Sequence, residues 1–467
     1  MNQVRQTPRR RGAEEVVGLD SSRQVCRGGI VGINPDLRGS WKFSAPRCLG
    51  VSIVFSILAL SAFGTTCAAD SIPGATVDSL LAVAKAGNPD LAVARLEAEA
   101  AAERVQPAGA LPDPVLRVEL ENITNGGTTG VNLAPSRVGD TKYTLMQSLP
   151  FPGKRELRRQ DADAEAEQAR HRTEDTWLDV SSRLKSAFAD WWLNSRNTAL
   201  NRELLGLVDR LGQVAQARYA GGLVPQQDAI RAQLERTALQ SERLDLEHER
   251  HRLAASINGL LARPASAPLA DALELPPLPE ASRLASAQLP ARLAVANPGL
   301  AVEDARIRGA QARRDLAFRE RYPDFNLGLV PMQVGSGVGS WGLMLEMNLP
   351  LQQESRRSRE REAERNLAAA ETRKAALTNR LQADLESLVS GFEMARDTER
   401  LLADSLLPQA QLNLQSALAG YENGKVDFAT LLDSHRQVRL ARQGLYRAQA
   451  AQRSRLADIE RLTGESP

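Results

Sequence analysis

Four stretches of the chain alternate apolar and polar residues with a period of two. Leu116, Val118 and Leu120 interleave with Arg117, Glu119 and Glu121, and Tyr143, Leu145 and Leu149 with Lys142, Thr144 and Ser148. Phe325, Leu327 and Leu329 interleave with Asn326 and Gly328. Trp341, Leu343, Leu345, Met347 and Leu349 interleave with Gly342, Met344, Glu346 and Asn348. Neighbouring side chains of a strand point to opposite faces, so each stretch has one apolar and one polar face. Strands are expected over 114–122, 141–149, 323–331 and 341–349. Elsewhere the period changes. Leu204, Leu207, Leu211 and Val214 step by three and four, the spacing of helix packed on helix. Single helices are expected from Val77 to Val105 and from Leu300 to Glu320, and long helical hairpins over 155–262 and 353–463. The helix after Gly153 is expected to reach about Tyr219. Some sixty residues at 1.5 Å each span roughly 90–100 Å, too long for a compact domain.

Strand gives way to helix at "LPFPGKRELRRQ", which starts at Leu149. Pro150 and Pro152 remove backbone donors and hold their predecessors extended, Gly153 frees the turn, and good helix formers follow. The corner lies inside a repeat. "NPDLAV" at Asn88 returns as "NPGLAV" at Asn297, and "LPDPVLRVEL" at Leu111 as "YPDFNLGLV" at Tyr322. "QSLPF" at Gln147 is answered by "MNLPL" at Met347, "YAGGLVPQQDAI" at Tyr219 by "YENGKVDFATLL" at Tyr421, and "INGLLAR" at Ile257 by "IERLTGE" at Ile459. Five pairs in one order, offset by 200 to 211 residues, indicate a duplicated unit. The halves are expected over 70–263 and 293–467, joined by a Pro-rich connector, 264–292, that breaks regular elements.

Composition sharpens this plan. Aromatics make up 4% of the 467 residues, few for a globular enzyme, and the Ala, Leu, Arg, Glu and Gln content suits long helices. Residues 1–69 hold nine of the 59 Lys/Arg and four of the 57 Asp/Glu, which leaves the rest with 50 basic against 53 acidic residues. No basic patch remains to favour nucleic acid. Within 1–69, residues 41–69 read as a secretory signal: Lys42 and Arg47, the short apolar run Leu49 to Phe63, then Cys67, Ala68 and Ala69. Cys26 and Cys48 fall in the removed part. Cleavage after Ala69 is expected; cleavage before Cys67 would leave a first residue open to lipidation, though "GTTC" matches a lipoprotein signal poorly.

Strands of eight to ten residues, an export signal and Gly-rich loops ("NITNGGTTGVNLAPSRVGD", "MQVGSGVGS") fit a transmembrane barrel. Backbone groups in lipid must be satisfied, so the sheet must close, and four strands cannot close round a pore. Several chains would then share one barrel. A soluble sheet packed on protein gives the same alternation, which leaves a periplasmic structural coiled coil or adaptor without a pore as the alternative.

The duplicated plan, "QSLPFPGKRELR", "ARYAGGLVPQQDAIRAQ" and "YENGKVDFATLLDS" together resemble the TolC family of outer-membrane efflux channels, and the "PFPGKR" corner resembles its heavy-metal, CzcC/CusC-like branch. The resemblance implies a mainly α chain with membrane β-strands, assembled as a homotrimer. Its helices would form a periplasmic tunnel below a shared barrel in outer-membrane lipid. It also implies docking to a periplasmic adaptor protein and an inner-membrane RND-type pump, with no cofactor. Substrates would be heavy-metal cations, or else organic drugs or a secreted protein. The two Gly turns would be the periplasmic tips, held closed by an Asp that contacts a Tyr and an Arg. Asp228 and Tyr421 match the first two positions; Val426 occupies the third, with Lys425 beside it as the nearby cation. Of the two acidic ring positions below the tip, Thr430 fills one and Asp433 the other. Three copies of Asp433 round an axis would favour cations.

Other chemistry is thin. His171, His248, His251 and His435 are scattered without a Cys, and "EHERHR" reads as a solvated stripe. Met332, Met344 and Met347 flank the second hairpin, but the last two are three apart in a strand and face opposite ways. Trp191 and Trp192 read as packing between helices. No nucleophile–base–acid set, phosphate loop or His-Glu-x-x-His motif occurs, so no enzyme is expected.

Overall fold

The fold is that of a computed structural model, which describes residues 72–124, 131, 133–272, 274–279 and 288–465. The presequence, its signal and Cys67 lie outside the described residues.

The first half contains α1 (Val77–Gly87), α2 (Pro89–Glu103), α3 (Val105–Gly109), β1 (Val115–Glu121), β2 (Asp140–Leu149), α4 (Lys154–Ala220) and α5 (Gln226–Leu260). The second contains α6 (Leu289–Ala296), α7 (Pro298–Arg319), β3 (Phe325–Val334), β4 (Gly337–Met347) and α8 (Gln353–Leu401). A π-helical turn (Leu402–Leu406), α9 (Leu407–Glu422) and α10 (Phe428–Thr463) complete it.

The single helix expected from Val77 to Val105 is broken. Asn88 is extended (φ −68°, ψ 124°) and starts a new helix: its Oδ1 accepts from Leu91 N (3.0 Å) and its Nδ2 donates to Leu260 O (2.9 Å). Pro89 then occupies a position where no N–H is needed. Asn297 repeats this, accepting from Leu300 N (3.1 Å) and donating to Leu462 O (2.9 Å). The preceding helix α6 begins at Leu289, inside the stretch read as connector. Leu289 and Leu293, one turn apart, are buried against Leu300, Phe392 and Leu456, so an apolar pair overrides the Pro-rich surroundings.

The first half packs Leu80, Leu184, Phe188, Trp191 and Ile257 into the matching core. Each such side chain contributes about 1.5–3 kcal/mol on burial. Trp191 Nε1 donates to Ala270 O (2.9 Å), which holds the connector against the helices. The second half differs below this waist. Where α4 runs unbroken for 67 residues, its counterpart is interrupted by the π turn just before Pro408. A proline there removes an i→i−4 bond, and a wider turn absorbs the loss.

The strands form one antiparallel sheet in the order β1-β2-β3-β4, so the central pair β2–β3 joins the two halves. Leu116, Leu145, Leu329 and Leu343 lie in one row across it, and Leu149, Phe325 and Met347 in another. Among the described residues nothing covers this face: Leu343 is 82% exposed and Trp341 68%. The opposite face carries the Arg117–Glu119 pair (3.7 Å), the Lys142–Glu121 pair, Asn326 and Glu346. Among the described residues no helix is long and apolar enough to cross a membrane.

Candidate functional site

Two regions gather the residues singled out in the sequence. One is the turn at the far end of each long hairpin; the other is the corner where strand becomes helix.

Both turns close in the same way. Gly222 and Gly424 take φ of +70° and +68°, a left-handed conformation that glycine adopts without a Cβ penalty. Leu223 N donates back to Arg218 O (2.9 Å) and Gly222 N to Tyr219 O (2.9 Å). Lys425 N donates to Gly420 O (2.8 Å) and Gly424 N to Tyr421 O (3.1 Å). Each pair satisfies carbonyls that a helix end leaves bare. The outgoing helices start differently. Asp427 Oδ1 accepts from Thr430 N (3.0 Å) to cap α10, whereas Pro225 precedes α5 and offers no side-chain cap.

The tips pack through Leu211, Ala215, Ala232, Ala417, Phe428 and Leu431, with Tyr421 buried among them at 5.5 Å from the Phe428 ring. The Tyr421 hydroxyl has no hydrogen-bond partner, so Asp228 and Tyr421, paired on resemblance, do not bond within one chain. Asp228 is itself buried in the first turn of α5. Burial pushes its carboxyl above the usual range, Arg231 opposes that, and Asp427 adds to it. Lys425 is exposed at the turn and bonds to neither residue.

The cation that engages Tyr421 is Arg218. Its guanidinium lies 5.0 Å from the ring centroid, and its two Nη donate to Tyr421 O (3.1 Å) and Glu422 O (3.0 Å). Lys425 is therefore not the only nearby cation, as the sequence had suggested: Arg218 engages Tyr421, and the charge of Arg231 acts on Asp228. The signal for Arg218 was its place one turn before Gly222, where a cation answers the bare carbonyls of a helix end.

Behind the tip, Glu235 is buried and receives Arg436 Nη2 (2.5 Å) and Arg439 Nη1 (3.6 Å); Glu242 receives Gln443 Nε2 (2.8 Å). Residues 235 and 436, like 242 and 443, are 201 apart, so α5 and α10 meet at equivalent positions of the duplication. Asp433 is 69% exposed, with Arg436 at 3.6 Å. Among the described residues no three His, Cys, Asp or Glu side chains gather as a metal site.

At the corner, Gly153 takes φ +88°, and a Cβ there would collide with the Arg319 guanidinium, which donates to Pro152 O (2.8 Å). Lys154 is 3% exposed; its Nζ donates to Asp324 Oδ1 (2.8 Å) and Tyr322 O (2.8 Å). The same Asp324 oxygen accepts from Phe151 N (2.8 Å), and Phe151 stacks on Tyr322 at 4.5 Å. Burial pushes the Asp324 carboxyl up. The bonds from Lys154 and Phe151, with the charges of Lys154 and Arg158, outweigh that and hold it below the usual carboxylate range.

An outer membrane efflux protein family model matches residues 80–263 and 289–465. No curated protein matches the chain. Among solved structures, the chain is similar to the outer-membrane channel OprN, at 18% identity and a TM-score of 0.73, over 84% of this chain and 90% of that one. It is similar to CusC at 15% identity and 0.71, over 85% and 93%, and to VceC of Vibrio cholerae at 14% and 0.70, over 83% and 96%. At such identities the likeness concerns the fold: helices that build a tunnel and strands that contribute to a barrel.

Proposed function

Because this chain belongs to the outer membrane efflux protein family, the outer-membrane component of tripartite efflux systems and not an enzyme family, we propose that it is a passive exit duct assembled from three copies. The observation that carries this reading is the four-stranded sheet. Its apolar face is bare, and its outer strands β1 and β4 have no further neighbour among the described residues. In lipid an open edge is not tolerated. Pairing β4 of one copy with β1 of the next closes a ring, and three copies give twelve strands round a lumen lined by the Arg117, Glu119, Lys142 and Glu346 face. The helices below then form a periplasmic tunnel whose tips meet a periplasmic adaptor and an inner-membrane RND-type pump, which supplies the energy.

Asp228 and Tyr421 are the gate in this reading. Both are buried and do not bond to each other within one chain, so gating through them requires the tip packing to open. Asp433 contributes a ring of carboxylates, tempered by Arg436. Heavy-metal cations are the proposed cargo, on the likeness of the Pro150-Phe151-Pro152-Gly153 corner to the metal-exporting branch.

Deletion of the gene tests the cargo. Hypersensitivity to zinc, cadmium, cobalt, copper or silver with raised cell-associated metal is expected. Sensitivity to organic drugs alone would keep the duct and remove the metal cargo. Heat-modifiable trimers in the outer-membrane fraction test the assembly, and a soluble periplasmic chain would overturn it.

A further inference from the structure

We propose that the first strand-to-helix corner carries a binding site for an anionic phospholipid, with Arg155 as the phosphate anchor. The inference rests on the membrane reading above and assigns the ligand. A cavity of about 750 Å³ opens at the foot of the sheet. One wall is Leu149, Phe325, Leu327 and Leu345, all on the bare apolar face, as their pairings Leu149–Phe325 and Leu327–Leu345 show. The other wall is the first turns of α4, with Arg155 and Arg159. The apolar surface that faces hydrocarbon therefore continues into a pocket that ends in guanidinium groups, at the level where the chain leaves the sheet.

The two arginines differ. Arg159 is already neutralised, by Glu156 (2.8 Å) and Asp163 (3.0 Å). Arg155 is half-buried; its Nε donates to Gly109 O (2.9 Å), and it forms no ion pair among the described residues. Glu156, the one acid on the cavity wall, is taken up by Arg159 and Gln160. A partly desolvated cation without a counter-ion is costly, and an anion that arrives from the bilayer offsets that cost. The Nη pair of a guanidinium suits a phosphate diester, and the positive end of a long helix adds to the attraction. Acyl chains would run along the leucine and phenylalanine wall with the headgroup at Arg155. This is a site for one lipid of the leaflet next to the helices, beyond a general coating of the barrel.

Native mass spectrometry of the full-length trimer in mild detergent tests it, with phosphatidylglycerol, phosphatidylethanolamine and lipid A added separately. Retained phosphatidylglycerol is expected for the wild type, falling about tenfold in Arg155→Gln for loss of a charge-assisted pair. Arg155→Lys should recover part of the retention. Arg357→Gln removes an equal charge from the first turns of α8, off the cavity, and should change nothing. Equal retention of phosphatidylethanolamine, equal loss in Arg357→Gln, or preference for lipid A would each overturn the site. Trimer heat-modifiability and channel conductance are read on the same samples. If these are normal while lipid selectivity is absent, the lipid site alone fails; if no trimer or conductance forms, the duct reading fails with it.

Discussion

The two repeats are built alike at the waist and differently at the ends. At the waist, Asn88 and Asn297 make the same pair of bonds, to Leu91 and Leu260 in one case and to Leu300 and Leu462 in the other. At the membrane end the first repeat has a locked corner: a left-handed Gly153, a buried Lys154 on Asp324, and stacked Phe151 and Tyr322. The second repeat has Leu349-Pro350-Leu351-Gln352 there, with Leu351 82% exposed. Its long helix also carries the π turn. Duplication explains the shared frame. The first corner is anchored by a buried ammonium and an aromatic stack, the second by the Arg321–Glu360 pair and by Asn348 on the backbone of Asp324.

The largest expected effect breaks that lock. Asp324→Ala strands a buried ammonium and should cost about 2–4 kcal/mol, below the full figure for a buried pair because Asp324 is a third exposed. Gly153→Ala adds strain of about 1–3 kcal/mol and a clash with Arg319. Gln352→Ala at the matching corner should stay within about 0.5 kcal/mol. Denaturant unfolding reads all three, and equal losses at both corners would remove the distinction. Because the Asp324 pKa is depressed, its contribution is present above about pH 4 and is lost as pH falls through the folded value. Asp324→Asn should flatten that acid limb.

The ingredients of the lock were legible as residue types, since Pro150, Pro152 and Gly153 announce a turn. Its partners were not. Asp324 and Tyr322 lie about 170 residues away and reach Lys154 only because β2 pairs with β3 across the repeats. The alternating strands and the steps of three and four were readable for the same physical reason: each reports a face buried or exposed along one element. The break at Asn88 was missed because Ala and Leu on both sides favour helix, and the bond from Asn88 to Leu260 O that stabilises the break is tertiary. At the tip, family likeness drew attention to Lys425, whereas the cation on Tyr421 comes from the other repeat.

That tip supplies the next test. Arg218→Ala removes a cation–π contact and two bonds to carbonyls of the second hairpin, together about 1–2 kcal/mol. The open-to-closed ratio of single channels should rise roughly five- to thirtyfold. Lys425→Ala should move it less than about twofold. The reverse ranking would return the latch to the second repeat.

A smaller effect belongs to His435, buried on α10 and flanked by Arg439 and Arg442 against Glu235 of α5 and Glu203 of α4. Burial first, and then Arg439, lowers its pKa below 6.5, with the two glutamates opposing. The neutral ring is therefore the one the fold favours. Its contribution is intact above pH 6.5 and is lost as pH falls through the depressed value. Weakening at His435 begins as pH falls below 6.5 and that at Asp324 only near pH 4, while the raised pKa of Asp228 opposes acid loosening at the turn itself. His435→Gln should remove the first phase of a two-phase acid profile read by limited proteolysis at the turns.

The smallest effect is expected from Cys67. Pro73 O accepts from Ala270 N (3.0 Å), and Ala270 O accepts from Trp191 Nε1 (2.9 Å), so Pro73 is tied to the waist. Trp191 lies 37 residues down α4 from Lys154, about 55 Å at 1.5 Å per residue. The sheet carries a bare apolar face of its own, so membrane attachment is expected to need no lipid on Cys67. Cys67→Ser should leave outer-membrane partition and trimer yield unchanged, with the intact mass of the mature chain showing no acyl group. Loss of membrane partition in Cys67→Ser would mean that a lipid on Cys67, and not the sheet alone, holds the chain in the membrane.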